Sequence, residues 1–146
     1  MALPGPAYVE ARRQARYHVQ VEFAHAGVVK TPAHVPVTGH VRRIFRGDDR
    51  LGLGDEVHFT VSVCRPGDSL PPGAGPWRHL RDFEAAKYME VFLDGTPPEC
   101  QVVLGQCFVI AAPLDTPSMP APTEEEVAAA WAAFDRPGPL PDGTEW

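Results

Sequence analysis

Six histidines, His18, His25, His34, His40, His58 and His79, and three cysteines, Cys64, Cys100 and Cys107, are the residues of this sequence best suited to hold a metal or attack a substrate. Their spacing argues against both roles. No histidines stand in an HExxH or comparable ligand spacing, and no two cysteines form a CxxC pair. His18, His40 and His58 fall on outward positions of strands, where a solvated side chain is expected. An odd cysteine count suits neither a disulfide framework nor a zinc ribbon, so all three read as small apolar strand residues. A catalytic Cys64 or Cys107 would need a low-pKa thiolate, and burial in a strand works the other way. Asp48 and Asp49 share an exposed turn where water solvates both charges, so neither carboxyl is tuned for acid-base work. Gly52-Leu53-Gly54 is not followed by a helix that would aim its N–H groups at a phosphate. The reading is non-enzymatic: no catalytic residue, no metal site and no cofactor.

What remains is binding chemistry. Arg42, Arg46 and Arg50 crowd the approach to the third strand and, with His58 on that strand, form a candidate site for an anionic partner. The net charge of -6 is uneven: residues 1–50 carry +4, residues 51–100 carry -4 and residues 101–146 carry -6. A basic front half either attracts an anion or pairs with the acidic remainder of its own chain. Arg43 is a separate question. It shares parity with Val41 and Phe45, which points it into the interior of a regular strand unless a bulge at Gly39 shifts the register. Trp131 and Phe134, on a C-terminal helix, are a candidate interaction surface unless that helix docks on its own barrel.

Those residues need a frame, and alternation supplies it. Tyr17, Val19, Val21 and Phe23 alternate with His18, Gln20 and Glu22; Val57, Phe59, Val61 and Val63 alternate with His58, Thr60 and Ser62. Between them, HVPVTGHVRRIF reads as a strand with an interior glycine where a small barrel turns a corner. Seventeen prolines, about twice the usual share, favour short elements and rigid turns. RPGDSLPPGAGP is such a loop, and Trp77 to Lys87 then has helical spacing. Tyr88 to Leu93 and Gln101 to Ile110 complete five strands. Tyr8 to Arg16 fits a short helix or an extended lead-in. In TEEEVAAAWAAF, Thr123 is an N-cap with Glu126 three residues on and acids in the first turn.

Three strands, a helix and two strands is the order of an OB-like five-stranded barrel, so the fold class is mostly β. The expected helices are one between strands 3 and 4 and one at the C-terminus. The expected core is Val19, Val21, Val41, Phe45, Val57, Phe59, Val61, Tyr88, Phe92, Leu104 and Phe108. Residues 1–112 form the barrel domain; residues 113–146 are a proline-rich linker, a short helix and a frayed tail. Gly39, Val41, Ile44, Phe45 and Gly47, then Gly54, Asp55, Val57, Phe59 and Val61, then Tyr88, Phe92 and Leu93, resemble strands of the netrin-like group that includes the tissue inhibitors of metalloproteinases. The resemblance covers about half the chain and implies the OB-like fold. Inhibitory members use an N-terminal cysteine and several disulfides, whereas this sequence begins Met1-Ala2 and has its first cysteine at position 64. The zinc-chelating activity is therefore not implied.

The expected function is a non-catalytic binding module, for a protein or a small ligand. The alternative is a single-stranded nucleic-acid-binding OB-fold, disfavoured because His58, Thr60 and Ser62 offer no aromatic stacking platform. The partner is an unidentified protein or anionic ligand. No window is long and apolar enough to span a membrane, and no secretory leader is recognisable, so a cytoplasmic location is expected.

Overall fold

The computed structural model describes residues 5–70 and 77–135. Helix α1 (Gly5–Gln14) leads into β1 (Tyr17–His25), β2 (Ala33–Arg46) and β3 (Glu56–Cys64). A two-residue strand β4 (Arg78–His79) runs into α2 (Leu80–Ala85), followed by β5 (Tyr88–Thr96), β6 (Glu99–Ile110) and α3 (Glu124–Asp135). β1 pairs antiparallel with both β2 and β5, β2 with β3, and β5 with β6. A parallel bridge between His58 and Glu99 joins β3 to β6 and closes a five-stranded barrel. This is the expected OB-like barrel, with α2 between its third and fourth strands and α3 at the C-terminal end. The tail 136–146, and residues 71–76 of the proline and glycine loop, lie outside the described residues.

Alternation locates the core. Val19, Val21, Val41, Val57, Phe59 and Val61 are buried as expected, joined by Tyr17, Met89, Val91 and Leu93. The parity of β5 is the reverse of the expected one. Met89 pairs with Val21 and Val91 with Val19, so Tyr88, Glu90 and Phe92 take the outer face. Phe92 is nonetheless buried, its ring 4.0 Å from that of His18. Tyr88 and Phe108 are only half-buried.

β2 corrects the expectation for Arg43. The pairing is regular through Gly39, opposite Phe23 and Val57, but slips twice further on. Val21 faces Val41 and Gln20 faces Arg43, leaving Arg42 as an extra residue; Val19 faces Ile44 and His18 faces Arg46, leaving Phe45 extra. Each bulge reverses the parity. Ile44 therefore turns toward the core, and Arg43 and Phe45 turn out, with the Phe45 ring 5.1 Å from that of His18. Gly39 serves a different end: a Cβ there would lie 3.1 Å from the Val21 side chain, so its absence lets β1 and β2 approach closely.

Leu104, expected in the core, is exposed. Leu104 and Gly105 both adopt left-handed backbone, at φ 45° and 67°. Residues 103–106 of β6 stand opposite Phe92 alone and loop away from the barrel. The Arg78 guanidinium fastens this excursion by donating to the Gly105 carbonyl at 3.0 Å while lying 5.0 Å above the Phe108 ring.

Candidate functional site

On the outer face of β2 and β3, His34, Pro36, His40 and Thr60 are exposed and Thr38, His58 and Ser62 half-buried among the described residues. His34, Pro36, Thr38 and His40 on β2 lie opposite Ser62, Thr60, His58 and Glu56 on β3. His34 shares a 2.8 Å hydrogen bond with the Ser62 hydroxyl, and its ring lies 5.3 Å from that of Trp77. His58 is held between two carboxylates: Nε2 is 2.7 Å from Glu56 and Nδ1 is 3.4 Å from Glu99. Glu56 also approaches His40 at 3.6 Å. Pro36, Thr38, His58, Thr60 and Glu99 line a shallow groove here. Among the described residues, no three of the His, Cys, Asp and Glu side chains are placed to hold a metal ion.

The hydrogen bond that His58 donates to Glu56 raises the pKa of His58 above its ordinary 6.5, and the same bond lowers that of Glu56 below 4.5. The His58 contribution to stability is complete below pH 6.5 and is lost as pH rises through the higher folded value. The Glu56 contribution is present above pH 4.5 and is lost as pH falls through the lower folded value. A proton-detected titration of His58 should give a midpoint above 6.5 that returns toward it in Glu56→Gln. An unchanged midpoint would remove the pairing from the account.

The three candidate arginines are not gathered on one surface feature. Arg42, the extra residue of the first bulge, forms an exposed ion pair with Glu22. Arg50 is exposed, and its main-chain amide donates to Asp48, which also accepts from the Tyr17 hydroxyl at 2.8 Å. Arg46, opposite His18 on the outer face, reaches α1 and donates to the carbonyls of Arg12 at 3.0 Å and Ala15 at 2.8 Å, capping the C-terminal end of that helix. Burial lowers its pKa. Arg46→Gln should cost about 1–3 kcal/mol, the range for charged hydrogen bonds and stranded acceptors, while Arg42→Gln and Arg50→Gln, at exposed side chains, should cost clearly less. Urea denaturation of the three single variants measures this; equal losses would contradict the assignment.

Trp131 and Phe134 divide in the same way. α3 lies against α1, where Trp131 Nε1 donates to Glu10 at 3.1 Å. Phe134 meets the Trp131 ring edge-on and remains 57% exposed. The N-terminus of α3 has both bonds of a capping box, Glu126 N–H to the Thr123 hydroxyl at 3.1 Å and Thr123 N–H to Glu126 at 3.2 Å. Cys64 and Cys107 are buried and Cys100 half-buried, all as free thiols. Burial pushes the Cys100 and Cys107 thiols up, away from reactivity.

A second constellation escaped the sequence reading. His18 and Gln20 on β1 and Glu90 on β5 occupy the other outer face, yet all three are buried. The proline-rich stretch, residues 113–122, runs across them. Glu90 Oε2 lies 3.0 Å from His18 Nε2 and accepts the Met119 amide at 2.7 Å. Oε1 accepts from Gln20 Nε2 at 2.8 Å and from the Ser118 amide at 2.7 Å. Gln20 Oε1 in turn accepts the Leu114 amide at 2.7 Å. Burial pushes the Glu90 carboxyl up, but the donors from His18, Gln20, Met119 and Ser118 outweigh it and hold the group below the usual carboxylate range. The available signal was a lone carboxylate in the apolar run YMEVFL, matched by polar residues at alternate positions of the neighbouring strand.

Compared with protein-family models and with curated proteins, the sequence matches none. Among the described residues, no helix is long and apolar enough to cross a membrane.

Proposed function

We propose that this chain is a non-catalytic binding module whose ligand face is the outer surface of β2 and β3, serving a protein partner or a small polar ligand. One observation carries the reading: this face presents a groove lined by Thr38, His58 and Thr60, with His34 and Trp77 side by side further along it, and no helix or strand among the described residues is laid over it. In OB-like barrels the same strands form the usual ligand surface, an argument by analogy of fold. A relationship to the netrin-like group belongs to this proposal, since the barrel supports it at the level of fold. So does a cytoplasmic setting, where the three free thiols would persist.

The nucleic-acid alternative is weaker. Glu22, Glu56 and Glu99 border the face and would repel phosphates. Arg42 is already paired with Glu22, and Arg46 is tied to α1. A labelled single-stranded oligonucleotide should give no anisotropy change even at low salt; binding that falls steeply with salt would move the protein into that class. For the favoured reading, a peptide and fragment library screened by chemical-shift perturbation should move resonances of His34, Thr38, His58 and Thr60. Hits confined to other faces would refute the assignment.

A further inference from the structure

The outer face of β1 and β5 is built to read a main chain. Its acceptors, Gln20 Oε1 and both oxygens of Glu90, belong to fully buried side chains, Glu90 bonded to both His18 and Gln20. What they accept are backbone amides of Leu114, Ser118 and Met119. The side chains of the bound segment contribute little: Leu114 is 41% exposed, Ser118 is exposed and Met119 only half-buried. At the rim, Arg43 faces Asp115 at 3.6 Å, an exposed pair of small worth. Attachment thus rests on amides that any extended segment of this spacing presents. No helix or strand joins the end of β6 to this segment, and the joining residues Ala111 and Ala112 are exposed.

We propose that this face is a docking groove for an extended segment, that residues 113–119 are its internal occupant, and that the same segment of a second copy of this chain takes their place when the internal contact is broken. The tether keeps the internal segment at an effective concentration on the order of millimolar, so the unaltered chain holds its own arm at micromolar concentrations. Removing the amides of that arm frees the groove while leaving its acceptors intact, and an identical segment from another molecule then fits by the same bonds.

Two substitutions in the arm, Ser118→Pro and Met119→Pro, delete two donors without touching the barrel. In this variant the Leu114 amide should lose hydrogen-exchange protection while amides of β1 and β3 keep theirs. A labelled peptide of native sequence 111–122 should bind the variant at least about tenfold more tightly than the unaltered chain, since the tethered competitor is gone. Adding Gln20→Ala should abolish that binding. Mixing the proline variant with a Gln20→Ala/Glu90→Gln chain, one lacking two of the arm's three donors and the other two of the groove's three acceptor oxygens, should give a one-to-one heterodimer by sedimentation, with neither chain associating alone. Continued protection of Leu114, peptide binding indifferent to Gln20, or no binding to the opened variant would each overturn the groove. A heterodimer absent at concentrations where the peptide saturates would overturn the second copy as occupant. The peptide arm of the experiment requires no change to Glu90, so it stands even if that double variant does not fold.

Discussion

Glu90→Ala should lower the unfolding free energy at pH 7 by about 3–5 kcal/mol, the cost expected when one partner of a buried charged cluster is removed. For a chain of this size that corresponds to a fall in Tm of roughly 10–20 °C. The magnitude follows from the number of groups that depend on one carboxylate. His18, Gln20 and the amides of Ser118 and Met119 all direct polar hydrogens at it, and a methyl group leaves each of them short of an acceptor in a dry site. The pH dependence separates this from simple loss of packing. Because the folded pKa lies below the ordinary 4.5, the stabilisation from the ionised form is complete above that value and is lost as pH falls through the lower folded value. The gap between the unaltered protein and Glu90→Ala, followed by urea denaturation from pH 7 to pH 3, should hold steady at first and then narrow. A gap that stays constant to the acid end would mean that the carboxylate charge contributes nothing.

The reasons this cluster was hard to foresee are physical. Strict alternation in β1 and β3 places their inward residues reliably, because a one-residue slip would carry a whole apolar set to the wrong face. Alternation says nothing about what covers the opposite face. His18 and Gln20 sit where solvent would be expected; Gln20 is covered by an extended segment nearly a hundred residues away that folds back on it, and His18 lies among Glu90, Phe45 and Phe92. That segment has no periodicity to recognise: its prolines and exposed side chains read as a tether, and its attachment is through the main chain. The bulges at Arg42 and Phe45 are similar in kind. Neither bulge carries the left-handed glycine that often betrays one: Gly39 and Gly47 flank the stretch without left-handed backbone, and Gly39 is there for close strand approach. Only at Leu104 was a cue present, in the neighbouring Gly105. The capping box at Thr123 and Glu126 was readable because it is wholly local, four residues satisfying their own amides.

Phe83→Ala should cost about 3–5 kcal/mol, the usual penalty for removing a buried aromatic ring. α2 is six residues long and the residue at its N-cap, His79, makes no side-chain cap, so on its own it could not persist in water. What holds it is the burial of Leu80 and Phe83 against the end of the barrel. The Phe83 ring is fully buried, stacked 5.4 Å from that of Phe23 and 4.3 Å from that of His25, at the far end of β1. Truncation to alanine removes the ring that plugs this opening and leaves a cavity that α2 cannot close without unwinding. Phe83→Leu keeps most of the volume and should cost less than about 1.5 kcal/mol. The two variants together distinguish a plug from a flap: if α2 were a loosely attached surface turn, both would fall within about 0.5 kcal/mol of the unaltered protein. A large loss with alanine, a small one with leucine and a coincident transition by circular dichroism and intrinsic fluorescence would make α2 part of the same cooperative unit as the barrel.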